Sequence, residues 1–138
     1  MEVGNKRIVA TVEVRMNSSR LPGKVMLTAQ GKPLLHYLVS RLKAIRSLSG
    51  IVLATTTSVT DDVIEDFARA EGVECYRGSE LDVMGRVLQA AESVDAEVIV
   101  QITGDCPLID PDLVEQCIQI YLANLPDYLS NAHIRSFP

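Results

Sequence analysis

Four short apolar runs, each rich in β-branched residues, punctuate the chain: RIVATVEV (7–14), GIVLATT (50–56), VECYR (73–77) and EVIVQIT (97–103). They are bounded by glycine or polar residues, the pattern of strands buried on both faces. Between them lie PLLHYLVSRLKAI (33–45), TDDVIEDFARAEG (60–72) and SELDVMGRVLQAAESV (79–94), with apolar residues three and four apart, a helical spacing. Strand–helix–strand alternation leaves few architectures open. Right-handed crossovers then give a three-layer, doubly wound, mainly parallel α/β sheet.

Local signals sharpen the element ends. Thr60 before Asp61 and Asp62 suits a helix start, and Gly72 suits its stop. Ser79 with Asp82 resembles a variant capping box. Asp110-Pro111 reads as an N-cap followed by a first-turn proline, opening a helix over 111–124. In a doubly wound sheet ligands bind beyond the carboxyl ends of the strands, so the loops after strands one, three and four are where chemistry is expected.

The 138 residues are read as one domain, 1–138. A net charge of −5 argues against a nucleic-acid or anionic-membrane surface, so any positive field must be local. The three cysteines (Cys75, Cys106, Cys117) are odd in number and show no CxxC or zinc spacing, which points to a reducing cytoplasm rather than a disulfide framework. No segment carries the apolar length of a secretory signal or a membrane span. A cytoplasmic protein without membrane or nucleic-acid partners is the expectation.

The first loop, VRMNSSRLPGK (14–24), concentrates cations and hydroxyls. Arg15 and Arg20 offer planar forks of donors, Lys24 a mobile point charge, and Asn17, Ser18 and Ser19 further donors to anionic oxygens. The loop matches neither the Walker A nor the GxGxxG fingerprint, so its residues alone leave a solvated basic loop and a phosphate grip both open. After the fourth strand comes TGDCPLIDPD. There Asp105 could hold Mg²⁺, which prefers oxygen ligands completed by phosphates, or could simply form a turn. Asp110 is the expected N-cap, and Cys106, with no base patterned beside it, is expected to be a packed thiol. The third loop, RGSELDVMGR, offers Arg77, Ser79, Asp82 and Arg86. His36 and His133 are read as structural or solvated.

Taken in order, VRMNSSRLPGK, GKPLLHYLVSRL, IVLATTTSVTDDVIEDFARAEGV, YRGSELDVMGRVLQAA and ITGDCPLIDPDLVE resemble the cytidylyltransferases that activate acidic sugars, especially the spore-coat polysaccharide branch. The resemblance spans nearly the whole chain, with SSRLPGK and GDCPLIDP its most specific parts. It implies a nucleotide-diphospho-sugar transferase domain of glycosyltransferase-A type. It also implies transfer of CMP from CTP to a sugar hydroxyl with release of pyrophosphate. By the same resemblance Arg15, Asn17, Ser18, Arg20 and Lys24 bind the triphosphate, with Arg15 or Lys24 stabilising charge on the leaving pyrophosphate. Asp105 would bind the metal, Mg²⁺, and Arg77 and Ser79 would lie near the base and ribose.

The family's Gln-Ala-Arg strand end is Glu13-Val14-Arg15 in this chain, Asn17 replaces a common glycine and Ser19 a common threonine. Nucleotide preference therefore stays open. The family continues well past SFP with acceptor-binding and dimer segments, so the chain is expected to be C-terminally shortened relative to it. A sheet ending at YLSN (128–131) would expose an edge, a feature usually covered by pairing, here expected as a homodimer. Two other readings accompany the enzyme: a non-catalytic nucleotide- or partner-binding module of the same fold, and an unrelated receiver-type domain. The second lacks the required acid pair and late lysine.

Overall fold

The structure is a computed structural model and describes residues 6–132. Strand β1 (Ile8–Glu13) leads through a 3₁₀ turn at Lys24–Met26 into a small hairpin, β2 (Thr28–Ala29) and β3 (Lys32–Pro33). Then follow α1 (Leu34–Lys43), β4 (Gly50–Thr56), a 3₁₀ turn at Val59–Asp61 running into α2 (Asp62–Glu71), and β5 (Glu74–Gly78). Helix α3 (Val83–Glu92), β6 (Val98–Thr103) and α4 (Pro111–Asn124) complete the fold.

The four long strands form one parallel sheet in the order β5-β4-β1-β6, as the alternation of runs predicts. The β2–β3 hairpin is antiparallel and separate, too short to leave a period in the sequence. Residues alternate between the two faces of β1. Ala10 and Val12 face a core with Leu35, Leu38 and Leu42 of α1, Ile64 of α2 and Ile118 of α4. Val9 packs with Val52, Ala54 and Ala90, on the side covered by α3. Helices therefore lie on both faces. In α1 the fully buried positions are Leu35, Leu38, Val39 and Leu42, one stripe at helical spacing. Burying each such leucine contributes on the order of 1.5–3 kcal/mol, which fixes α1 on the sheet and the rim loops above it.

Element ends agree with several sequence signals. Gly72 takes the left-handed conformation that stops α2, with φ 67°. Asp110 caps α4, its carboxylate accepting from the backbone N–H groups of Asp112 (2.9 Å) and Leu113 (3.3 Å). Two signals are displaced. Helix α3 begins at Val83, because Asp82 and not Ser79 is its N-cap: Asp82 accepts from Gly85 N–H at 2.8 Å, while Ser79 Oγ accepts from Asp82 N–H one turn earlier. The α2 start is likewise not capped by Thr60. Residues 128–131 carry no strand. Among the described residues β6 pairs only with β1 and β5 only with β4, so these are the two edges of the sheet, and a groove along β6 is lined by Ile102, Val114, Cys117, Tyr121 and Tyr128.

Candidate active site

The first loop leaves β1 at its carboxyl end and closes on itself. Met16 C=O accepts from Gly23 N–H at 2.8 Å, which draws residues 17–22 into a projecting turn with Arg15 before its neck and Lys24 after it. The peptide on the other side of the Met16 Cα is also held: Met16 N–H donates to Asp61 Oδ1 at 2.7 Å. Asp61 is 1% exposed, and its second oxygen accepts from the N–H and the hydroxyl of Thr56 at the end of β4. Burial pushes the Asp61 carboxyl up, but the Thr56 hydroxyl and Met16 N–H outweigh it and hold the group below the usual carboxylate range. Asp61 reads in the sequence as an ordinary first-turn acid, so its role there was hidden.

The loop after β6 reaches the same rim. Gly104 N–H donates to Glu13 C=O at 2.8 Å, and a Cβ on Gly104 would stand 2.7 Å from Val14 Cβ. Only glycine lets the two loops lie this close. Asp105, next in the chain, is thereby placed against the first loop, where its Oδ2 accepts from Lys24 Nζ at 2.7 Å. This hydrogen bond is the main reason the Asp105 carboxyl lies below its usual range. The resemblance gave Lys24 and Asp105 separate roles at one site, and the structure brings them into contact.

Arg15 extends toward the loop after β5 and pairs with Glu80 at 3.6 Å, both side chains nearly half exposed. Asn17 and Arg20 are exposed on the turn, and Ser18 is half-buried there. Arg77 lies apart from this group. It donates to Asp62 (2.7 Å) and Glu65 (3.1 Å) of α2 and to the C=O groups of Thr56 (2.9 Å) and Ser58 (2.6 Å). Four partners brace the β4–α2 turn and leave its fork directed at protein. Ser79 is exposed at the end of β5, its hydroxyl bonded to Asp82 N–H.

Arg86 on α3 is 3% exposed and donates to Ser79 C=O at 2.6 Å, while its Nε has no partner among the described residues. Gly78 accommodates its stem, since a Cβ there would be 3.1 Å from Arg86 Cγ. Burial lowers its pKa, opposed most strongly among the acids by Glu13. Glu13 sits at the end of β1 on the α3 side of the sheet, where the buried Arg86 cation offsets part of its charge.

Cys106 is exposed beside Asp105, 3.1 Å from Thr103 Oγ1, and not the packed thiol its surroundings in sequence suggested. The turn holding Asp105 at the rim turns the next side chain outward. Burial, aided by Glu65, pushes the half-buried Cys75 thiol up to about 11. His36 joins Glu71 at 2.6 Å, a structural tie between α1 and the end of α2. His133 lies outside the described residues.

No group of three or more His, Cys, Asp or Glu suited to a metal exists among the described residues. Asp105 is nevertheless an accessible carboxylate already in contact with a cationic group. One carboxylate fits Mg²⁺, which commonly takes one or two protein acids and completes its shell with phosphate oxygens and water. The site fits that ion better than zinc, for which no thiolate–imidazole cluster is present among those residues.

A family model described as cytidylyltransferase matches residues 9–136. The chain belongs to that family. It is 35% identical over 125 residues to the spore coat polysaccharide biosynthesis protein SpsF of Bacillus subtilis, covering 88% of this chain and 52% of that protein. It is 31% identical over 118 residues to a 3-deoxy-manno-octulosonate cytidylyltransferase of Trichlorobacter lovleyi, covering 86% and 46%. Among solved structures, a cytidylyltransferase from Leptospira borgpetersenii superposes with a TM-score of 0.78 at 35% identity, over 87% of this chain and 50% of that one. The chain thus spans about half the length of the curated relatives it matches. In this cytidylyltransferase chain the specific motifs SSRLPGK and GDCPLIDP are the two loops joined by Lys24–Asp105.

Proposed function

We propose that this chain supplies the nucleotide-binding part of a sugar cytidylyltransferase that transfers CMP from CTP to a hydroxyl of an acidic sugar and releases pyrophosphate. The observation that carries this reading is the convergence of Lys24 and Asp105, 2.7 Å apart, at the carboxyl end of β1 and β6, with Arg15 extending from the same loop neck. In the transfer a sugar oxygen forms a bond to the α-phosphorus as the bond from that phosphorus to the pyrophosphate oxygen breaks. Negative charge moves onto the leaving group, so catalysis needs positioning and charge neutralisation more than a covalent protein group. Arg15 and Lys24 are the cations suited to hold the β- and γ-phosphates. Asn17, Ser18 and Arg20 add donors around the projecting turn. Arg77 and Ser79 belong to the loop system beside the nucleoside end, Arg77 by bracing the turn after β4.

Asp105 would hold Mg²⁺. When bound, that ion neutralises phosphate charge and orients the phosphate chain. The acidic-sugar substrate class rests on the family and on the relatives' names, and surface-polysaccharide synthesis on that of SpsF.

A second reading is a non-catalytic nucleotide- or partner-binding module, favoured by the open edge of β6, where a second copy could pair. Incubation with CTP, Mg²⁺ and an acidic sugar such as 3-deoxy-manno-octulosonate separates the two. The enzyme reading requires pyrophosphate release dependent on both substrates. Saturable CTP binding without release selects the nucleotide-binding module, and no CTP binding rejects the enzyme and leaves only the partner-binding form of the second reading.

A further inference from the structure

The first loop carries the chemistry of the proposed site, and its own Gly23 N–H to Met16 C=O bond closes the neck but does not tie it to the end of β4. That task falls to Asp61, a residue in a different loop, 45 positions from Met16. We infer that Asp61 is the positioning residue of the phosphate loop: its buried carboxylate holds the Met16 peptide on the end of β4 and so sets where Arg15 and Lys24 stand. The inference rests on the proposed reading of that loop as a triphosphate grip.

Three observations carry it. Asp61 closes no helix cap, although it occupies the N-cap position of α2; its side chain turns away from the helix. Its two oxygens bridge two loops, one accepting from Met16 N–H at 2.7 Å and the other from Thr56 N–H at 3.2 Å and from the Thr56 hydroxyl. And Met16 also closes the turn, its C=O accepting from Gly23 N–H at 2.8 Å. Holding the Arg15–Met16 peptide through its N–H orients residue 15 and, through the carbonyl of the same residue, residues 23 and 24 across the closure.

The anchor is itself anchored. Arg77 clamps the carbonyls of Thr56 and Ser58 on either side of the turn that ends in Asp61, and pairs with Asp62 immediately after it. Position is therefore passed from β5 through the β4–α2 turn to the first loop by hydrogen bonds between named groups. A buried anion beneath an anion-binding loop would ordinarily oppose its ligand. Here the charge is directed onto the Met16 and Thr56 donors, and the buried Arg86 guanidinium lies close enough to feel it.

The test is a double-mutant cycle on the full chain, read by calorimetric titration with pyrophosphate, CTP and CMP. Asp61→Ala is expected to weaken pyrophosphate and CTP by roughly tenfold or more, the scale of a lost hydrogen bond to a charged group, with CMP changed far less. Asp61→Asn keeps an acceptor for Met16 and is expected to recover most of the loss. Combining Asp61→Ala with Arg15→Ala should cost little more than the worse single change, because a misplaced arginine has little left to lose. A merely structural Asp61 would lower the melting temperature while leaving the ratio of triphosphate to monophosphate affinity unmoved. That result, or losses that multiply in the double variant, overturns the inference.

Should Asp61→Ala fail to fold, hydrogen exchange on the wild type decides. The Met16 amide is expected to be protected like the β4 amides while Ser18 and Ser19 exchange fast; a Met16 amide as fast as theirs overturns the anchor. The pyrophosphate arm keeps the two readings apart. Pyrophosphate binding that depends on Asp61, without CTP binding, supports the anchor and rejects the cytidylyl reading. CTP binding indifferent to Asp61 does the reverse.

Discussion

Lys24 Nζ lies 2.7 Å from Oδ2 of Asp105, a residue 81 positions further along the chain, and joins two loops that leave the sheet from the adjacent strands β1 and β6. The pair is exposed enough for ligand to reach, with side chains 30% and 45% accessible. An ion pair of this kind contributes at most about 1 kcal/mol, so it can open when a phosphate and a cation arrive together.

Removing the lysine frees the carboxylate. Lys24→Met is expected to tighten Mn²⁺ binding in the absence of nucleotide by about two- to fivefold, the range of an exposed ion pair. Asp105→Asn should abolish metal-dependent CTP binding with little change in melting temperature. Electron paramagnetic resonance of free Mn²⁺ and thermal unfolding measure both. Unchanged Mn²⁺ affinity in Lys24→Met would show that the ammonium does not compete for the carboxylate.

Among the described residues Arg15 is held only by Glu80 at 3.6 Å, a long and exposed pair that a phosphate can replace. Arg15→Ala is therefore expected to weaken CTP by roughly tenfold or more and CMP by much less, on the scale of one charged hydrogen-bond set. Competition titrations with the two nucleotides check it. Equal loss for both would mean the arginine does not meet the β/γ end.

The cysteines should separate by environment. Cys106 is exposed at the rim, whereas Cys75 is half-buried with its thiol pushed up to about 11. Alkylation by iodoacetamide at pH 8 is expected to modify Cys106 first and to leave Cys75 until unfolding, because the thiolate is the nucleophile. Mass spectrometry of timed digests reads the order, and CTP with Mg²⁺ should slow the Cys106 reaction. Labelling of Cys75 at the rate of Cys106 would contradict the burial described for β5.

Acid should loosen the site before the sheet. Asp61 and Asp105 both have folded pKa values below their ordinary ones, so each contributes stability above the unfolded value, lost as pH falls through the folded value. Melting temperature is expected to hold steady from neutrality to about pH 5 and to fall below about pH 4. Asp61→Asn should flatten that acid limb. An acid limb identical to the wild type would show that Asp61 does not titrate with folding.

The sequence exposed the parts of this fold that repeat. The β-branched runs marked the strands, most clearly β1 and β4, which are central in the sheet and apolar on both faces, and Asp110-Pro111 marked the start of α4 because capping is local chemistry. Local reasoning misplaced the start of α3, where both Ser79 and Asp82 are capping residue types and Asp82 is the one that accepts from the helix, through Gly85 N–H. It also missed Asp61, whose partners Met16 and Thr56 become neighbours only once β1 and β4 pair. Arg77 was legible as a strand-end cation, but the two carboxylates that engage it lie on a helix whose position the sequence does not fix.

The central claim is that the first loop and Asp105 form one triphosphate site with a divalent cation. Calorimetric titration of CTP into the chain, with and without Mg²⁺, tests it most directly. One saturable site per chain is expected, tightened by Mg²⁺, stronger for CTP than for CMP, and stripped of its Mg²⁺ dependence by Asp105→Asn. No saturable binding, or binding equal for CTP and CMP and indifferent to Mg²⁺, would contradict it.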